Sequence, residues 1–175
     1  MIRQYAEEMA ELILEELNEM DQASFVDTLG SVYETSPWVA EQAWSDHPFD
    51  SVDAVHESMK RIVENASREQ KLELLREHPD LGEQTEMTDA SREEQASAGL
   101  DQLSRNQYEA FQQLNETYRE KFEFPFIMAV KGASPDAIQE RMESRVDNSV
   151  AEEFQTALDE VHEIARLRLN ELLRS

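Results

Sequence analysis

Four histidines, His47, His56, His78 and His162, are the side chains best placed to trade protons near neutrality. His56 and His162 fall within amphipathic stretches, where a packed or surface histidine is the ordinary outcome. His47 precedes Pro48 in a turn and reads as a loop residue. His78 is different, because it closes a helix-like stretch and Pro79 pushes its backbone toward the extended region. Its imidazole then projects from a helix end beside a loop, a place where side chains face clefts. The same position complements the helix dipole without any substrate, so residue type alone leaves both readings open.

A second group is Ser91-x-x-Glu94-Gln95. Serine and a glutamate three residues later form a capping box, which needs no ligand. Gln95 is outside that motif and is the informative member. A helix start also offers free N–H groups and a positive dipole end to an anionic ligand. A third group is the apolar strip that includes Phe126-Ile127-Met128-Ala129-Val130, preceded by Pro125 and lacking helical period. It has the composition of core, yet irregular backbone leaves N–H and C=O groups in need of partners, which a planar, amide-rich ligand could supply. Arg166 and Arg168 lie two positions apart on a helix and face different directions. At least one of them falls near an apolar face and needs an anion, either an internal carboxylate or a ligand. Asp53-x-x-His56 and Asp159-x-x-His162 imitate the spacing of di-iron bundles, but chance matches are expected in so acidic a chain. No metal site is expected. There is no Gly-rich phosphate loop, no G-x-S-x-G and no HExxH.

The elements that position these residues read as helices throughout. The chain has 175 residues, which suits one domain. Glycine and proline are scarce and β-branched runs are absent. Helices are expected over about 2–19, 22–33, from Ser36-Pro37-Trp38 onward, 52–65, 67–77, 91–103, 104–121, from Ser134-Pro135-Asp136 onward and 148–173, with 82–89 as a loop. The sum is an all-α, single-domain bundle of about seven to nine helices.

Composition removes several function classes. The absence of cysteine excludes disulfides, thiolate metal sites and a cysteine nucleophile. No apolar run approaches a membrane span, and no basic-then-apolar secretory signal is visible, so a cytoplasmic protein is expected. The 39 acidic residues against 16 basic ones give a net charge of −23, a poor surface for nucleic acid or anionic membranes. Only Lys60, Lys71, Lys121 and Lys131 are lysines. High acid with little lysine reads as adaptation to high salt, where screening shortens repulsion to a few ångströms.

One ordered set of segments resembles the 2-oxo-4-hydroxy-4-carboxy-5-ureidoimidazoline (OHCU) decarboxylases of urate degradation. The set comprises Phe25-Val26-Asp27-Thr28-Leu29-Gly30, Glu34-Thr35-Ser36-Pro37-Trp38-Val39-Ala40, His78-Pro79-Asp80-Leu81-Gly82, Ser91-x-x-Glu94-Gln95, Gly99-Leu100, Leu114-Asn115-x-x-Tyr118, Lys121-Phe122-x-Phe124-Pro125-Phe126-Ile127 and Arg166-Leu167-Arg168-Leu169. Each motif is weak alone; their order and number make the match specific. Residues 1–16 read as an N-terminal helical extension and 17–175 as the domain.

The resemblance implies an all-α homodimer without cofactor or metal that converts OHCU to (S)-allantoin. Urate oxidase and hydroxyisourate hydrolase would be its functional neighbours. His78 and Glu94 would be the acid/base pair. Pro79, Ser91 and Gln95 would line the substrate site, the backbone of Phe126, Ile127, Met128, Ala129 and Val130 would hold the ring, and Arg168 would bind charged or carbonyl oxygens. Glu123 departs from the pattern, standing where the family's Lys-Phe-Gly-Phe-Pro-Phe has glycine, which puts the local turn in doubt. The alternatives are a related decarboxylase acting on another ureido or hydantoin acid, and a non-catalytic acidic helical interaction protein.

Overall fold

A computed structural model describes residues 14–82 and 87–173. Regular secondary structure among them is helical throughout, as the periodicity requires. The elements are α1 (14–19), α2 (Gln22–Leu29), α3 (Trp38–Ala43), a 3₁₀ turn (Trp44–Asp46), α4 (Val52–Glu64), α5 (Arg68–Arg76), α6 (Asp89–Ser97), α7 (Arg105–Phe122), α8 (Pro135–Arg145) and α9 (Val150–Leu172). Of the helix expected over about 2–19, residues 14–19 are helical as α1; the rest of it, with most of the 1–16 extension and half of the 82–89 loop, lies outside the described residues. The helices pack as two compact units, Met1–Lys71 with His162–Ser175 and Leu72–Val161.

In the first unit, Asp21 caps α2 by accepting from the Ser24 N–H at 2.8 Å. Phe25 and Leu29 face inward, and α3 packs on both α2 and α4 through Val39, Ala40 and Ala43, with Val55, Met59 and Val63 buried on α4. Two expectations fail here. The second helix ends at Leu29 rather than Tyr33. Gly30 follows directly, and glycine is a poor helix former. A turn then buries both Val32 and Tyr33. Ser36 does not cap α3: its hydroxyl donates to the Glu34 carbonyl at 2.9 Å, and no side chain caps that helix.

Still in the first unit, the capping box that opens α5 forms as the pattern requires. Gln70 N–H donates to Ser67 Oγ at 3.1 Å, and Ser67 N–H donates to Gln70 Oε1 at 3.3 Å. In the second unit α7 and α8 are capped by Ser104 and Ser134, with Pro135 opening α8. The expected helix over 91–103 is displaced at both ends. Thr88, not Ser91, is the N-cap, and its hydroxyl oxygen accepts from Ser91 N–H at 3.2 Å. The helix stops at Ser97 because Gly99 takes a left-handed conformation, φ 76°. Leu100 N–H then returns to the Gln95 carbonyl at 3.0 Å, a Schellman closure that satisfies an end-of-helix acceptor.

Candidate active site

His78 sits just beyond α5, with its N–H on the Leu75 carbonyl at 3.3 Å, so the last turn tightens before Pro79. Its Nδ1 lies 2.9 Å from the Leu74 carbonyl and the side chain is buried. A carbonyl only accepts, so Nδ1 carries a proton. In the neutral ring the lone pair is therefore on Nε2, and the ring is fixed by a carbonyl of the helix that precedes it.

Gln95 meets the same segment. Its Oε1 accepts from Gly82 N–H at 3.0 Å, and its Nε2 donates to the Asp80 carbonyl at 3.4 Å. One amide thus bridges both sides of Leu81 and ties His78-Pro79-Asp80-Leu81-Gly82 to α6. Shifting the helix start to Thr88 changes what Ser91 does. Ser91 occupies the first turn instead of the cap, and it lies one turn before Gln95 on the same buried face. Glu94 is on that helix too, and is half-buried.

The strip is irregular, as expected. Phe126, Ile127 and Val130 are buried, while Met128 and Ala129 are half-exposed. Three of its backbone groups are engaged. Arg145 Nη1 donates to the Ile127 carbonyl at 2.7 Å, Ala129 N–H donates to Glu160 Oε2 at 3.3 Å, and the Val130 carbonyl accepts from Ala133 at 2.9 Å. The N–H groups of Ile127, Met128 and Val130 find no hydrogen-bond partner among the described residues. Buried or half-buried backbone donors are nearly always paired, so this strip is short of acceptors.

Beneath the strip is a network that the sequence reading missed. Arg145 is 1% and Glu153 0% exposed. Arg145 Nη2 donates to Glu153 Oε2 at 2.9 Å and Nε to both carboxylate oxygens at 3.1 Å. Tyr118 and Asn148 also donate to that carboxylate. Burial pushes the Glu153 carboxyl up, but the hydrogen bonds from Arg145 and Tyr118 outweigh it and hold the group below the usual carboxylate range. The Arg145 guanidinium lies 4.3 Å from the centre of the Phe126 ring, and Tyr118 packs edge-on against Phe124 and Phe126. The signal was in the spacing. Arg145 follows Ile138 and Met142 on one stripe of α8, and Glu153 begins the Glu153-Ala157-Val161 stripe of α9. A charge on an apolar stripe needs a buried partner.

Arg168 belongs to the first unit. It is buried, and its Nη2 donates to Glu34 Oε2 at 2.8 Å and its Nη1 to the Ser31 carbonyl at 3.3 Å. Of the two anions open to such an arginine, an internal carboxylate is therefore present. Arg166 is half-exposed and pairs with Glu163. His162 is buried between Tyr33, at 2.8 Å from Nδ1, and Glu64, at 2.8 Å from Nε2. It is a packed histidine, as expected, and so is His56, whose Nε2 donates to the His162 carbonyl. Glu123, in the place of the family's glycine, takes the left-handed conformation itself, φ 66°, so the turn that ends α7 is kept.

The family model of OHCU decarboxylase matches residues 18–170. The 2-oxo-4-hydroxy-4-carboxy-5-ureidoimidazoline decarboxylase of Haloferax volcanii is 65% identical over 95% of this chain and 99% of its own length. The protein of the same name from Halalkalicoccus jeotgali is 60% identical over 94% of this chain and 93% of its own. The crystal structure of (S)-allantoin synthase superimposes with a TM-score of 0.76 at 32% identity, covering 91% of this chain. This chain spans 53% of that one's length.

Proposed function

The chain belongs to the OHCU decarboxylase family and is a carboxy-lyase, and on that premise we propose that it converts OHCU to (S)-allantoin without a cofactor, using His78 and Glu94 as its acid/base pair. Breaking the bond to the carboxylate releases CO₂ and leaves an electron pair on the ring carbon. The adjacent C=N of the substrate absorbs that pair, so no pyridoxal or thiamine sink is needed. The protein has to bind the anion, turn the carboxylate out of the ring plane and deliver a proton to one face.

The observation that carries this reading is the Gln95 bridge, which brings the His78 segment and the Ser91–Gln95 face of α6 together in one unit. With Nδ1 committed to Leu74, Nε2 is the nitrogen that exchanges protons. Pro79 and Ser91 shape the wall of the site. The N–H groups of Ile127, Met128 and Val130, unpaired among the described residues, with Phe126 before them and Ala129 among them, suit the carbonyl oxygens of a ureidoimidazoline ring. Arg168 keeps its proposed role as a donor to substrate oxygens on the strength of the Leu-Arg-Leu match. The same resemblance carries the homodimer, the residues before 17 as an extension, and urate oxidase and hydroxyisourate hydrolase as functional neighbours. Among the described residues no helix is long and apolar enough to cross a membrane, and a cytoplasmic enzyme is proposed.

The test generates OHCU freshly with urate oxidase and hydroxyisourate hydrolase and follows optically active allantoin. The protein should accelerate its appearance, and His78→Ala should lose about 10²–10⁴-fold in rate. No acceleration over spontaneous decay, at low or high salt, rejects the reaction. Near-normal turnover by His78→Ala rejects the residue assignment.

A further inference from the structure

We propose that Arg119 and Asn115, one turn apart on α7, are positioning residues that set where the His78 imidazole stands; the inference rests on His78 being the proton-handling group. Three consecutive residues after Pro79 are held by side chains from two helices. Arg119 Nε donates to Asp80 Oδ1 at 2.9 Å, and Asn115 Nδ2 donates to the Leu81 carbonyl at 2.9 Å. The Gln95 amide takes the Asp80 carbonyl and the Gly82 N–H from the other side. The segment also lies tightly on its surroundings. Gly82 has φ 79°, and a Cβ there would stand 3.0 Å from Leu103 Cδ1 and 3.5 Å from the Phe111 ring.

Stability alone does not account for this arrangement. Asn115 is buried, and its Oδ1 has no hydrogen-bond partner among the described residues. A buried carbonyl oxygen without a partner costs stability, so the amide is kept for its donor, which is spent on Leu81. The Arg119 side chain is 51% exposed against 10% for Asp80, and a half-exposed ion pair contributes little to folding. What the pair does fix is the direction in which the chain leaves Pro79. The proline ring locks its own φ, so a shift at Asp80 is passed back to His78. The imidazole is thereby located from two sides, by the Leu74 carbonyl before it and by the α7 clamp after it.

The test compares Arg119→Gln, Arg119→Lys and Asn115→Ala with the parent, and uses Arg105→Gln, exposed on the same helix, as the unaffected control. Misplacing a proton-transfer group by about an ångström costs on the order of 10- to 100-fold. Arg119→Gln should lower kcat by that factor, leave KM within about threefold, alter the pH profile of kcat and barely move the melting temperature. Arg119→Lys should recover part of the rate. Asn115→Ala should show the same kcat-dominated loss at a temperature well below its own melting point. Arg119→Gln turning over within about twofold of an active parent overturns the inference and leaves the proposed reaction standing. If the parent itself shows no decarboxylation, the reaction fails, and substrate-free NMR decides the clamp. Unchanged His78 ring-nitrogen signals and unchanged Gly82 amide exchange in Arg119→Gln overturn it, and displaced ones uphold it.

Discussion

Replacing Arg145 with methionine keeps an unbranched, flexible stem but removes the guanidinium and its charge. Glu153, 0% exposed, then retains only Tyr118 and Asn148 as donors among the described residues, and the Ile127 carbonyl loses its Arg145 partner. Breaking a buried ion pair from one side costs about 3–5 kcal/mol, because an uncompensated charge stays behind. A typical domain has only about 5–15 kcal/mol in all, so the variant should fold but denature at much lower urea. The pH dependence should reverse in sign. In the parent, the folded Glu153 carboxyl lies below its ordinary value of 4.5. The unfolded chain therefore takes up the proton first, and this stabilisation is complete above that value and lost as pH falls. In Arg145→Met, burial without the guanidinium pushes the carboxyl up. The folded state then binds the proton first, and the deficit shrinks as pH is lowered from 7 toward 5. Adding Glu153→Leu to Arg145→Met removes the stranded charge and should restore part of the loss. Urea denaturation followed by circular dichroism at pH 7 and 5, in constant high salt, measures all of this. A loss below about 1 kcal/mol for Arg145→Met, or a double variant no more stable than the single, would refute the reasoning.

Three further outcomes follow from the same physics. Burial holds the His162 imidazole below its usual 6.5 despite the Glu64 carboxylate; the unfolded chain binds that proton more readily, so stability should fall as pH drops below 6.5, and His162→Gln should flatten the slope between pH 7 and 5 in thermal melts. Glu123→Gly should raise the melting temperature, because relieving a left-handed non-glycine residue is worth about 1–2 kcal/mol before glycine's own entropic cost is subtracted. Melting in dilute buffer and in molar KCl should show a rise with salt, since a net charge of −23 repels itself over about 10 Å at 0.1 M and about 3 Å at 1 M; equal stability in both refutes the salt adaptation.

The sequence by itself determined the helical class, because apolar residues recur at helical spacing and serine caps stand before α4, α5, α7 and α8. Such signals are local, set by backbone donors within one turn. It also determined that His78 ends a helix and that residues 126–130 are not one, since Pro79 and Pro125 constrain their neighbours whatever the rest of the chain does. The tertiary structure decided between competing local options. Thr88 and Ser91 are both competent caps three residues apart, and the choice of Thr88 turns Ser91 inward beside Gln95. Gly30 and Gly99 could each have been tolerated inside a helix at modest cost, yet both end one, and at Gly99 a Schellman closure satisfies a helix-end carbonyl.

The partners of long polar side chains were beyond sequence for another reason. An arginine or asparagine on a helix fixes a direction, and the atom it meets may be a main-chain carbonyl 34 residues away, as for Asn115 and Leu81. Carbonyls carry no residue identity, so no pattern of residue types announces them. The His78 loop was therefore visible from the sequence as a site candidate, while the clamp that aims it became visible only once α6 and α7 stood on either side.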